Sequence, residues 1–154
     1  MALVLKGKVI TELGIRSPAS SFFSVFIKQL HNLQNIAGKV HEAKVHQGDD
    51  WHGTDTVKIW TVTLDRKVQT LKESIEVIDE QNKSATFSVF DGEVSKNYKT
   101  LKINLQVIDK DDTDGVAKWT FDYEKLNENI APPYHFLDYI TEITKDVDAH
   151  LLKA

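Results

Sequence analysis

The chain reads as an α+β domain in which a curved antiparallel sheet of seven strands wraps one long C-terminal helix. Three observations predict it. Residues 134–152 carry a breaker-free apolar stripe at helical spacing; the stretch before them is a run of short alternating segments divided by turn residues; and one further helical pattern lies near the N-terminus. Strands joined by short turns pair as an antiparallel meander, and a sheet with one apolar face needs a cover, which the long helix supplies.

Residues 3–16 alternate, with Leu5, Val9, Leu13 and Ile15 on one side and Lys6, Lys8 and Glu12 on the other, as a half-buried first strand does. Ser17 and Pro18 read as an N-cap followed by proline at the first helical position. Phe22, Phe23, Val25, Phe26, Ile27 and Leu30 then follow at helical spacing, so the first helix runs to about Leu30. Residues 31–40, with Leu33, Ile36 and the stop Gly38, suit a short second helix or an irregular lid. The strands are expected at 43–47, 56–64, 69–78, 85–90, 98–108 and 116–126. Turns are expected at 48–50, 65–67, 79–84, 91–92 and the polar run 109–115. Pro132 and Pro133 stop the last strand, and Pro133 can open the final helix because its first turn needs no amide donor there. On that helix Phe136, Ile140, Ile143, Val147 and Leu151 form the stripe, widened by Leu137 and Tyr139, over a length of about 28 Å.

Alternation selects the inner sheet face. Leu101, Ile103, Leu105 and Val107 oppose Lys102, Asn104 and Gln106, and Trp119, Phe121 and Tyr123 oppose Lys118, Thr120 and Asp122. In 56–64 the two faces are less distinct; Trp60 is placed inward, with Lys58, Val62 and Leu64, because a large indole is better buried. Taken singly these aromatics are core residues. Together, on a concave face opposite one helix, they are also what a ligand pocket needs.

One domain spanning 1–154 is expected, large enough to bury roughly two-thirds of its unfolded surface. Without cysteine, neither disulfides nor thiolate metal sites are available, and a cytoplasmic location is the simple expectation. The first ten residues alternate lysine into a short apolar run, so no signal peptide is expected, nor any membrane span. A net charge of -4 disfavours nucleic acid as a partner. A small hydrophobic ligand fits better, and a homodimer is left open.

His41 and His46 are five apart in a strand-like stretch and point to opposite faces, so no metal is expected there. With Gly115 at the sixth position of a calcium loop, Lys110 would stand first and Phe121 twelfth, where a carboxylate is required. Nor is there a Gly-x-Ser-x-Gly elbow or a thiol nucleophile. The polar side chains left as candidates for work inside an apolar cavity are Lys58, Lys72, Tyr123, Tyr139 and His135. A buried lysine could act as a base and a tyrosine hydroxyl as a donor to an oxyanion; otherwise the lysines snorkel to solvent and the tyrosines satisfy their hydroxyls.

Several ordered pieces carry a resemblance: Ser17-Pro18; Gly48-Asp49-Asp50-Trp51 before Lys58-Ile59-Trp60; Lys72-Glu73 and Ile75-Glu76; Phe90-Asp91-Gly92-Glu93 with Tyr98-Lys99; Tyr123-Glu124-Lys125; and Asp148-Ala149-His150-Leu151-Leu152-Lys153. The chain resembles the plant major latex proteins, a branch of the birch-pollen-allergen and pathogenesis-related proteins within the START-like helix-grip superfamily. That resemblance implies seven strands gripping the C-terminal helix, two short helices after the first strand, and an internal hydrophobic cavity. For the cavity wall it implies Lys58, Trp60, Val62, Phe87, Val89, Ile103, Leu105, Trp119, Phe121 and Tyr123 from the sheet. From the helix it implies Phe136, Tyr139, Ile140 and Ile143, with Leu33 and Ile36 at the entrance. The loop 48–53 departs from the glycine-rich loop of the birch-allergen branch: it is acidic, holds two glycines and makes a poor phosphate cradle.

The family mostly binds small hydrophobic plant molecules, and a minority of its members are enzymes. Two functions are therefore implied, neither needing a cofactor. One is a carrier or buffer for a hydrophobic metabolite or hormone. The other is a cyclase or isomerase acting on a reactive terpenoid, iridoid or alkaloid intermediate, with Tyr139, His135, Lys58 and Tyr123 as its candidate catalytic residues.

Overall fold

The computed structural model describes residues 5–110 and 114–153. In chain order these form β1 (Lys6–Ile15), α1 (Ala19–Lys28), a 3-10 turn (Leu30–Asn32) running into α2 (Leu33–Ile36), β2 (Val40–Gln47) and β3 (Val57–Leu64). There follow β4 (Lys67–Asp79), β5 (Ser84–Phe90), α3 (Gly92–Asn97), β6 (Tyr98–Asp109), β7 (Gly115–Lys125) and α4 (His135–Lys153). The expected class is the observed one: a curved seven-stranded antiparallel sheet wrapped around α4, in the order β1-β7-β6-β5-β4-β3-β2. Of the predicted segments, Leu3 and Val4 of the first strand and residues 111–113 of the polar run lie outside the described residues. The Lys110 amide donates to the Asp114 carbonyl across that turn, at 3.2 Å.

Curvature has local causes. Register shifts between Val40 and Glu42, Val45 and Gln47, Ile75 and Val77, and Tyr98 and Thr100 add residues to one strand of a pair and increase its bend and twist. Alternation then works as expected. Leu101, Ile103, Leu105 and Val107 of β6, Trp119 and Phe121 of β7, and Lys58, Trp60, Val62 and Leu64 of β3 are all buried on the concave side.

Two local expectations are corrected. Ser17 does not cap α1: Pro18 takes the cap position with no side-chain hydrogen bond, and the helix stops at Lys28 rather than near Leu30. The Ser17 hydroxyl turns instead to α4 and donates to Asp148 Oδ1 at 2.5 Å, while the Ser17 and Arg16 amides donate to the same carboxylate at 2.8 and 3.0 Å. A charged acceptor with three donors outcompetes one capping bond. Residues 91–92 are not simply a turn between strands either, because they launch α3. Asp91 and Gly92 take φ of 61° and 62°, and a side chain on Gly92 would collide with the Thr70 carbonyl of β4. The short polar stretch after them carries no apolar periodicity from which a helix could be read.

Elsewhere α4 is held by Trp119, whose indole N–H donates to Thr144 Oγ1 at 3.0 Å, and by the Gly38 amide, which donates to Asp146 Oδ2 at 2.9 Å. Asp148→Ala leaves the β1–α1 elbow with three donors and no acceptor; it should lower stability by about 2 kcal/mol in urea unfolding, with Asp148→Asn recovering part of the loss.

Candidate functional site

Between the sheet, the lid segment 30–36 and the N-terminal half of α4 lies a cavity of about 80 Å³. Successive strands each turn inward residues onto it: Trp60 from β3, Leu71 and Glu73 from β4, Phe87 and Val89 from β5, Ile103 from β6 and Trp119 from β7. Phe26 of α1 and Leu30 and Leu33 of the lid close one side, and Phe136, Tyr139, Ile140 and Ile143 of α4 the other. The rings brace one another edge-on. Phe26 meets Trp119 at 5.3 Å between centroids, and Phe136 meets Tyr139 at 6.2 Å.

One carboxylate stands in this apolar wall. Glu73 is 6 % exposed; its Oε1 accepts from Trp60 Nε1 at 3.1 Å, and its Oε2 lies 3.1 Å from Lys58 Nζ. That second contact is an ion pair without hydrogen-bond alignment, so Oε2 is left with no hydrogen-bond partner. Lys58 Nζ spends its directed bond on the Trp51 carbonyl, 2.9 Å away in the loop 48–53. Burial pushes the Glu73 carboxyl up from its ordinary value, and the Lys58 charge and the two contacts hold it back only in part. The Tyr139 hydroxyl, on the facing helix, is also pushed up, first by burial and then by the negative charge of Glu73.

The structure brings Trp60, Phe87, Val89, Ile103, Trp119, Phe136, Tyr139, Ile140, Ile143 and Leu33 to the cavity. It places the other candidates elsewhere. Val62, Leu105 and Phe121 face inward but are packed solid; Phe121, for example, is taken up by Phe136 at 5.9 Å. Ile36 packs against the core without lining the space. Lys58 is fully buried behind Glu73 and does not snorkel, whereas Lys72 does, pairing with Asp91 at 2.9 Å on the outer side. Tyr123 lies over Gly7 of β1 and against Tyr98, at 6.0 Å between rings. His135 lines a separate polar crevice with Asp65, Gln69 and Asn97, where burial holds its pKa below the ordinary value.

Sequence reading missed Phe26, Leu30, Leu71 and Glu73. For Glu73 a signal existed. Leu71 and Ile75 flank it at a spacing of two, which puts the carboxylate on the buried face, and the lysine directly opposite in register is the inward Lys58.

Because the folded protein holds the Glu73 proton more tightly than the unfolded chain, this group's contribution is complete below the ordinary 4.5 and is lost as pH rises through the folded value. Lys58→Met removes the cation that limits the rise. Urea unfolding should show the variant weakened by about 3 kcal/mol near pH 8, with the deficit shrinking as pH falls and the carboxyl takes up its proton.

Comparison with known proteins matches residues 4–154 to the pathogenesis-related protein Bet v 1 family. MLP-like protein 43 of Arabidopsis thaliana is 34% identical over 150 residues, 96% of this chain and 94% of that protein. The crystal structure of major latex-like protein 151 of Panax ginseng superposes with a TM-score of 0.89 at 34% identity, covering 96% of this chain and 99% of the other. Norcoclaurine synthase of Thalictrum flavum superposes at 0.80 with 15% identity over 97% of this chain and 88% of its own, a likeness of fold alone. With the seven-stranded grip, the apolar cavity beneath α4 and this identity along nearly the whole length, the chain belongs to the pathogenesis-related protein Bet v 1 family, among its major-latex-protein-like members.

Proposed function

We propose that the protein is a cytoplasmic carrier or buffer that holds a small hydrophobic plant metabolite or hormone in the cavity between sheet and α4. The observation that carries this reading is the make-up of the wall: aromatic and aliphatic side chains throughout, broken by Glu73, whose Oε2 is beside Lys58 but accepts no directed hydrogen bond, and by the Tyr139 hydroxyl. Such a wall takes its affinity from buried apolar area, at roughly 25 cal/mol per Å², and its orientation from one or two polar contacts. The ligand that fits is mostly apolar, free of negative charge, and offers an O–H or N–H to Glu73. The cavity of about 80 Å³ is smaller than the roughly 150 Å³ that accommodates a benzene ring, so a metabolite enters only as Leu30 and Leu33 draw back with the lid.

A second reading, a cofactor-free cyclase or isomerase acting on a reactive terpenoid, iridoid or alkaloid intermediate, is favoured by one pair. Glu73, made a stronger base by burial, and Tyr139, a neutral hydroxyl, share the wall. A base and a donor in an apolar enclosure are what moving a proton on a folded substrate requires.

Native mass spectrometry against a plant metabolite extract, followed by product analysis of whatever is retained, separates the two. A compound recovered unchanged supports the carrier. A compound consumed by the wild type but not by Tyr139→Phe supports the enzyme, provided its affinity for the variant stays within about twofold. Ile140→Phe, which fills the cavity from α4, should abolish retention while costing about 1–3 kcal/mol of stability; undiminished retention would move the site elsewhere.

A further inference from the structure

The Leu30 amide has no helical partner. α1 ends at Lys28 and the next amide, of Gln29, donates to the Val25 carbonyl; the one after it, of Leu30, donates instead to His52 Nε2 at 3.0 Å. Leu30 opens the lid turn and its side chain is part of the cavity wall, so this bond fastens the lid to the loop 48–53. The loop is itself fastened to the cavity. The Trp51 carbonyl, one peptide before His52, takes the bond from Lys58, which faces Glu73, and Asp50 Oδ1 fixes the His52 amide at 3.0 Å. A continuous line of contacts thus runs from Glu73 through Lys58, Trp51 and His52 to Leu30.

We propose that His52 is a proton-operated latch on the cavity lid: neutral, its bare Nε2 accepts the Leu30 amide and holds the lid down; protonated, it presents a donor to a donor and lets the lid go. The proposal rests on the reading of the cavity as a binding site and adds its regulation. Only the tautomer with hydrogen on Nδ1 can accept at Nε2, so the closed state selects that tautomer. Three groups face the ring. Lys58 of β3 and His31 of the lid turn, whose ring lies 5.9 Å away, oppose a further positive charge, while Asp50 of the same loop favours one. Glu73 of β4 stands beyond Lys58 and offsets part of its charge. Burial and Lys58 hold the His52 pKa below the ordinary 6.5, which keeps the latch shut at neutral pH and places its release in acid. Once released, the partly buried Leu30 amide has lost its partner, and the turn that carries Leu30 and Leu33 is free to move.

Two measurements between about pH 7.5 and about pH 5 test it. In the ligand-free protein, NMR follows the His52 ring and the Leu30 amide; the amide shift and its exchange protection should titrate with the ring. Stopped-flow fluorescence follows release of N-phenyl-1-naphthylamine, an apolar probe uncharged throughout this range, which should accelerate about fivefold across it, the worth of one neutral hydrogen bond. His52→Gln, whose amide oxygen accepts at every pH, should flatten both curves, and His31→Gln should leave the step in place. A Leu30 amide that ignores the His52 titration, or a His52→Gln protein with an unchanged step, would overturn the latch. A probe that binds at no pH would remove the binding reading, and the amide titration would still decide the latch.

Discussion

The fold depends on α4 being tied down at one end. Asp148 takes three donors from the β1–α1 elbow, Asp146 takes the Gly38 amide and Thr144 takes the Trp119 indole, all in the C-terminal half of the helix. Among the described residues, 135–143 make no side-chain hydrogen bond to the rest of the protein. That half is held by Phe136, Ile140 and Ile143, with Leu137 and Tyr139 packed beside them, through apolar contact that is non-directional and tolerates sliding. A helix pinned at its far end and merely packed at its near end leaves open space where the packing is incomplete, and the cavity lies there.

The charged pair in the wall obeys a different logic. An isolated carboxylate in such surroundings is costly, and an ion pair of this kind contributes little net stability against an apolar replacement. Lys58 and Glu73 are neighbours in register on β3 and β4, so sheet formation brings them together without further ordering. They differ in what each has left to offer. Lys58 is committed to the Trp51 carbonyl, which fixes the loop 48–53, while Glu73 lines the cavity with an Oε2 that has the Lys58 charge beside it but no directed hydrogen bond. One residue of the pair is structural and the other faces whatever enters.

Most of the architecture was legible in the sequence because period and punctuation agree. The stripe from Phe136 to Val147 and the alternation of Leu101 to Val107 each have one solution, and the strand boundaries fall within a few residues of the turns. What stayed hidden depends on tertiary competition. Ser17 looks like a helix cap until Asp148, 131 residues away, claims its hydroxyl. α3 has no apolar periodicity and follows from a backbone turn against Thr70. Within the site, alternation separates inward from outward but not open from packed, so Phe121 and Leu105 were indistinguishable from Ile103 and Trp119. Tyr123 looked like a cavity group because it alternates with Trp119 and Phe121, and His135 because it opens α4; the first lies over Gly7 of β1 and the second in the polar crevice with Asp65 and Gln69.

The pairing of β1 with β7, Lys6 opposite Glu124 and Ile15 opposite Gly115, joins the first strand to the last. On the ribosome, the first strand emerges long before β7, its strand partner among the described residues, and the concave face from β2 to β6 precedes α4 in the chain. The concave face therefore stays apolar and uncovered until α4 docks, and the pairing of β1 with β7 is a contact of high sequence separation that forms late.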